Sequence, residues 1–298
     1  MPRRRARAAR RGGPGTPVHA RRMEAMPGTL EDRRTAPLSS GPSPEPVLVL
    51  NPLDTARRVP EPAAPAAVDF CANCGSRIAG LCRPLDAAAL DEISAESERI
   101  SLPARAMVFR EGDPAGKVFT LIEGTAKLTR LLADGRQQVV GFRFAGDIIG
   151  YTTRREYPFD AELLTGAQLC RLDRGRLDRL LRRFPLLERR MLDLCIQELN
   201  TTQEQLVTVG RRPAEARVAA FLLSLNEACR RRGRTGRVLD MPMTRADIAD
   251  FLGLTLETVS RTFTAFRKRG WLREPGHMKV ELLDTGALNA LAQGTSEG

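Results

Sequence analysis

Thr244-Arg245-Ala246-Asp247-Ile248-Ala249-Asp250-Phe251-Leu252-Gly253-Leu254-Thr255-Leu256-Glu257-Thr258-Val259-Ser260-Arg261 is the stretch on which the reading of the fold turns. Thr244 followed three residues later by Asp247 is a capping-box start, in which hydroxyl and carboxylate satisfy each other's backbone N–H groups. Gly253 breaks that helix, since a left-handed closing residue is least strained without a Cβ. Thr255 opens a second helix directly after it. Helix, tight glycine turn and helix is the layout of a helix-turn-helix, whose second helix presents its first residues to base edges in the major groove.

On that second helix Val259, Phe263 and Phe266 are expected to face the core, leaving Leu256, Glu257, Ser260 and Arg261 outward. A guanidinium at Arg261 can donate twice to guanine O6 and N7, which is worth about 1–3 kcal/mol of discrimination. Glu257 can accept from cytosine N4, Ser260 can bond a base or a phosphate, and Thr258 completes the DNA-facing set. Arg267, Lys268 and Arg269 lie further along, where cations meet phosphates and position without specifying. The plainer alternative for Glu257 and Arg261 is a surface ion pair four residues apart, which contributes little. The preceding helix, the glycine turn and both caps favour the DNA reading. Around this motif, Ala214 to Cys229 reads as a helix, Val238 to Met243 as a short strand and Lys279 to Leu282 as a wing strand.

Upstream, residues 185–209 switch to helical period, with Pro185 suited to a first turn. Leu192, Cys195, Leu199, Thr202, Leu206 and Val209 repeat at steps of three and four, the narrow stripe of a coiled-coil seam, and predict a homodimer. Earlier still, short apolar alternations over 101–175 are punctuated by glycines at roughly ten-residue intervals, the pattern of a β-sandwich or barrel-like roll. Asp134-Gly135 marks a hairpin within it. Residues 1 to about 68 hold 12 of the chain's 20 prolines and predict a disordered, basic tail. The resulting division is 1–70 tail, 71–184 cysteine segment and β-roll, 185–210 dimerisation helix and 211–298 DNA-binding domain.

The net charge of +11 is concentrated at the start, where residues 1–22 carry eight arginines and no acid. The more telling excess is local: residues 211–298 hold 15 Lys/Arg against 10 Asp/Glu, a balance that favours a polyanionic partner. No apolar run approaches the ~20 residues of a membrane span, so no membrane role and a cytoplasmic location are expected. No nucleophile–base pair, phosphate loop or carboxylate constellation points to an enzyme.

Cysteines in that compartment are ligands or redox groups more often than staples. Cys71, Cys74 and Cys82 form a C-x2-C-x7-C cluster, with Cys170 a fourth candidate 88 positions on. Four soft thiolates suit zinc or an iron–sulfur cluster, and spacing alone leaves the two even. Cys195 lies on the seam as a packing residue, and Cys229 ends a helix with no chemistry assigned.

From about Cys71 onward the chain resembles the FNR family of bacterial regulators, within the cyclic-AMP-receptor superfamily. Cys71-Ala72-Asn73-Cys74, Phe109-Arg110-Glu111-Gly112-Asp113, Gly141-Phe142-Arg143-Phe144-Ala145-Gly146-Asp147 and, most specifically, Leu252 to Arg261 carry the resemblance. It implies an α+β fold: an N-terminal cyclic-nucleotide-binding-like β-roll, a long dimerisation helix and a C-terminal winged helix-turn-helix. It implies a [4Fe–4S] cluster on Cys71, Cys74, Cys82 and Cys170, which favours iron–sulfur over zinc, and Glu257, Ser260 and Arg261 reading a TTGAT-type inverted repeat. The x7 gap departs from the enterobacterial x5 pattern and is similar to the FnrN/FnrL-type branch. The family further implies an RNA polymerase contact and an oxygen response in which the intact cluster favours the dimer. Glu198 and Glu204 would then repel their counterparts across the seam in the relaxed state. A cyclic nucleotide is not expected, because Gly146-Asp147 and Pro158-Phe159-Asp160 replace the turn and Arg-Ser pair of the cyclic-AMP branch. Haem is not expected either, the only histidines being His19 and His277.

Overall fold

Alternating apolar and polar residues after Ser97 pair into two four-stranded antiparallel sheets in a computed structural model that describes Cys71, Cys74 and residues 77–294. The expected basic tail, residues 1–70, lies outside the described residues. The strands of the roll are β1 (Ser97–Leu102), β2 (Met107–Phe109), β3 (Lys117–Glu123), β4 (Thr125–Leu131), β5 (Gln137–Phe144), β6 (Ile148–Ile149), β7 (Asp160–Leu163) and β8 (Ala167–Asp173). One sheet runs β1-β8-β3-β6 and the other β2-β7-β4-β5. Phe119, Leu121 and Leu169 from the first and Phe109, Leu128 and Leu163 from the second share one buried core. Gly124 must be glycine: it turns at φ +97°, and a Cβ there would lie 2.7 Å from that of Ala167. The hairpin expected at Asp134-Gly135 joins β4 to β5, with Gly135 at φ +81°.

Two short helices flank the roll, α1 (Ala87–Glu96), capped by Asp86, and α2 (Arg174–Arg183). Neither was anticipated, since each buries only three side chains. The long helix α3 (Pro185–Arg211) begins at the expected proline.

Beyond it come α4 (Ala214–Arg231), β9 (Val238–Asp240), α5 (Arg245–Leu252), α6 (Leu256–Lys268), β10 (Leu272–Gly276), β11 (Lys279–Leu282) and α7 (Thr285–Gln293), the last not foreseen. A three-stranded wing, β10-β11-β9, closes this unit. Val139 and Phe142 of β5 enter its core, where the Phe142 and Phe251 rings meet edge-on at 5.3 Å. The roll and the helical unit are therefore packed on each other. Lys127 of β4 strengthens the junction by bridging Glu162 at 3.2 Å and Asp247 of α5 at 3.1 Å. Asp250 accepts from the Val139 N–H, and Gln138 donates to the Asp250 carbonyl at 2.6 Å.

Candidate DNA-reading surface and cysteine site

The helix-turn-helix forms as its residues dictate. The Thr244–Asp247 capping box is complete, Gly253 sits at φ +61°, and the Thr255 hydroxyl accepts from the Thr258 N–H. Val259, Thr262, Phe263 and Phe266 are buried, which turns Leu256, Glu257, Ser260 and Arg261 outward on one exposed face. Thr258 is half-buried at the edge of that face. The Glu257 carboxyl is held below its ordinary range by its own N–H and the Thr255 hydroxyl, with Arg261 adding a smaller attraction. It is thus an anion at neutral pH, as an acceptor for a base amine must be. Arg267 and Lys268 are exposed as expected. Arg267 is paired with Glu274 of the wing at 3.2 Å. The Arg245 guanidinium lies 3.4 Å over the Phe263 ring and pins α5 to α6, a packing role the sequence reading missed.

The four thiols assigned by the sequence converge. Cys71, Cys74, Cys82 and Cys170 line one cavity whose other walls are mainly apolar, among them Leu81, Ile93, Leu172, Leu177, Leu180 and Leu187. Cys170 is placed by β8, paired to Arg99 of β1 on one side and Thr120 of β3 on the other. The turn-rich segment 77–85 brings Cys82 to it, with Leu81 and Leu85 buried as anchors. Burial pushes the Cys82 thiol well up and the Cys170 thiol up to about 12, with neighbouring cysteines adding to both. Burial raises Cys71 as well, while a hydrogen bond with Ser94 and the nearby Arg77 work against it. Ser97 does the same for Cys170. Arg77, Ser94 and Ser97 are therefore parts of the site, and no motif in the sequence signals them. Among the described residues no three metal-ligating side chains are drawn together into a closed site. Four thiols on one apolar cavity are a donor set that fits a soft metal group, zinc or an iron–sulfur cluster.

Along α3, Leu192, Cys195, Leu199, Thr202 and Leu206 are exposed, and Val209 is partly covered by its own chain near Gly253. Ile196 and Val207 are also exposed and were missed. At about 100° per residue, Ile196, Leu199 and Leu206 fall within roughly 40° of Leu192, while Thr202 and Val209 drift towards the face packed inward. The apolar stripe thus runs Leu192, Ile196, Leu199, Leu206. Glu198 does not stand free to repel a counterpart, because Arg143 of β5 holds it.

A β-roll, a long helix with an unpartnered apolar stripe and a winged helix-turn-helix define a DNA-binding transcription regulator. Comparison with known proteins agrees: residues 99–184 match the cyclic nucleotide-binding domain and residues 216–291 the Crp-like helix-turn-helix domain. The chain is 37% identical over 223 residues to the nitrogen fixation regulation protein FixK of Bradyrhizobium diazoefficiens, covering 75% of this chain and 94% of that one. It is 33% identical over 235 residues to the transcriptional activator protein Anr of Pseudomonas aeruginosa, covering 76% and 94%. The solved structure of FixK2 from Bradyrhizobium japonicum superimposes with a TM-score of 0.60 at 28% identity, over 65% of this chain and 96% of that chain. The chain belongs to the CRP/FNR family of transcription regulators. Among the described residues no helix is long and apolar enough to cross a membrane.

Proposed function

We propose that this regulator is an oxygen-responsive transcription activator that holds a [4Fe–4S] cluster on Cys71, Cys74, Cys82 and Cys170, and binds TTGAT-type inverted-repeat DNA as a homodimer. One observation carries the reading: four cysteines from two distant parts of the chain line a single, mostly apolar cavity. Such a cluster supplies an oxygen-labile crosslink among thiolates. The chain's own residues supply the rest. Leu81, Leu172 and Leu187 keep bulk water from the sulfurs, and Arg77 offsets part of the negative charge that four thiolates bring. The stripe Leu192, Ile196, Leu199 and Leu206 offers a partner helix an apolar face, and a two-fold dimer sets two recognition helices about one DNA turn, ~34 Å, apart. Losing the partner removes half the DNA contacts and the avidity that goes with them. FixK and Anr are named as regulator and activator, which supports activation and, through it, a contact with RNA polymerase.

The test is the visible absorption of protein purified without oxygen, followed as air is admitted. A broad band near ~400 nm that bleaches, with about four iron and four sulfide per chain, is the expected result. A colourless protein carrying one zinc would overturn the cluster and leave the DNA-binding assignment standing.

A further inference from the structure

The segment between Cys74 and Cys82 touches more than the cavity. On one side, the Arg190 guanidinium of α3 donates to the Ala79 carbonyl and, at 3.2 Å, to the Gly80 carbonyl. On the other, the Ala145–Asp147 turn lies directly against it: a Cβ on Gly146 would come 3.2 Å from the Gly80 nitrogen and 3.5 Å from Ala79. That turn is rigid. Asp147 accepts from the Phe144 N–H at 2.8 Å, and the Gly146 N–H donates to the Leu121 carbonyl at 2.7 Å. It is gripped from the DNA-binding unit by Arg232, which ends α4. Arg232 donates to the Ala145 carbonyl at 2.7 Å and to the Asp147 carboxylate at 2.6 Å, and lies 5.1 Å over the Phe144 ring. Its side chain is only 16% exposed. The cysteine segment also meets the turn that follows α4, with Ile78 3.7 Å from where a Gly233 Cβ would stand.

We propose that Arg232 is a positioning residue through which the cysteine segment sets the orientation of the DNA-binding unit within one protomer, independently of dimerisation. The path is Ala79-Gly80, the Ala145–Asp147 turn, then Arg232 and the end of α4. Each link is a backbone contact or a charge-assisted bond with little solvent, so displacement of the segment is passed on rather than absorbed. The proposal rests on the cysteine cavity being the sensing site.

The test uses the full chain, prepared without oxygen, and hydrogen exchange at Arg232, Gly233 and Arg234, whose N–H groups bond the last turn of α4. The segment is released in two ways: by admitting air, and by Arg190→Ala, which acts whatever the cysteines hold. Iron content and sedimentation mass are measured on the same samples. Release is expected to speed exchange at these three amides by roughly fivefold or more, with no change in mass needed. In an Arg232→Ala background exchange is already fast, and neither release changes it further. Arg232→Lys, which keeps the charge on Asp147, retains most of the response. Unchanged exchange on both kinds of release, or an Arg232→Ala protein that still responds, overturns the proposal. An iron-free protein that still responds to Arg190→Ala sinks the cluster and supports the strut. If the alanine variant does not fold, Arg190→Lys removes the paired donors more gently and is read the same way.

Discussion

At the scale of single residues, the DNA-reading face makes the sharpest commitments. Arg261→Ala is expected to weaken operator binding by about 1–3 kcal/mol and to relax preference at one base pair, measured by titration against operators varied at each position. Lys268→Ala should weaken all sequences alike and lower the salt slope by about one. Asp247 behaves differently, because it works inside the protein. Burial alone would raise its carboxyl, but the Thr244 bonds and Lys127 outweigh this and hold it below the ordinary range. A depressed carboxylate contributes stability that is present above its unfolded value and is lost as pH falls through the folded one. The α5 cap and the roll junction should therefore hold through neutral pH and loosen only under acid, below about pH 4. Asp247→Asn should remove that acid limb from a pH-denaturation series. The positions of these residues, outward on α6 or at the α5 cap, were largely legible in the sequence, since caps and glycine turns are local signals. Arg190 and Arg232 were not, because a guanidinium that grips distant carbonyls leaves no trace in its own neighbourhood.

At the scale of elements, α3 shows how periodicity informs and misleads. Its length and starting proline were plain from residues 185–209, and of the seam residues read there Leu192, Cys195, Leu199, Thr202 and Leu206 are exposed, while Ile196 beside them was left out. Steps of three and four fit a course through Cys195 or through Ile196, and only packing against the roll decides between them. Leu199→Glu is expected to leave a folded monomer, with circular dichroism retained and sedimentation mass halved. Thr202→Leu, at the margin, should strengthen dimerisation less than Gln203→Leu, which lies on the stripe itself. The short α1, α2 and α7 were illegible for a different reason: few residues are buried on each, so their apolar pattern is too brief to declare a period.

For the whole molecule, the junction between roll and helical unit matters most. The fold class and the order of its parts were readable, because hydrophobic period changes from two to 3.6 at identifiable points. The packing of β5 against α5 was not, since Val139 and Phe142 look like ordinary strand residues until the fold brings Phe251 to them. Lys127→Ala removes the bridge to Asp247 and Glu162 and should separate the thermal unfolding of the two units, seen as a second calorimetric transition.

Cys170 reaches its companions only once β8 has zipped between β1 and β3, long after Cys71, Cys74 and Cys82 have left the ribosome. Synthesis therefore imposes an order. The early cysteines emerge first, the fourth comes with β8 as the sheet is finished, and the α2 and α3 walls follow it. A chain stalled or misfolded in the roll can never bring the four thiols together, so the cavity itself certifies that the scaffold beneath it is sound.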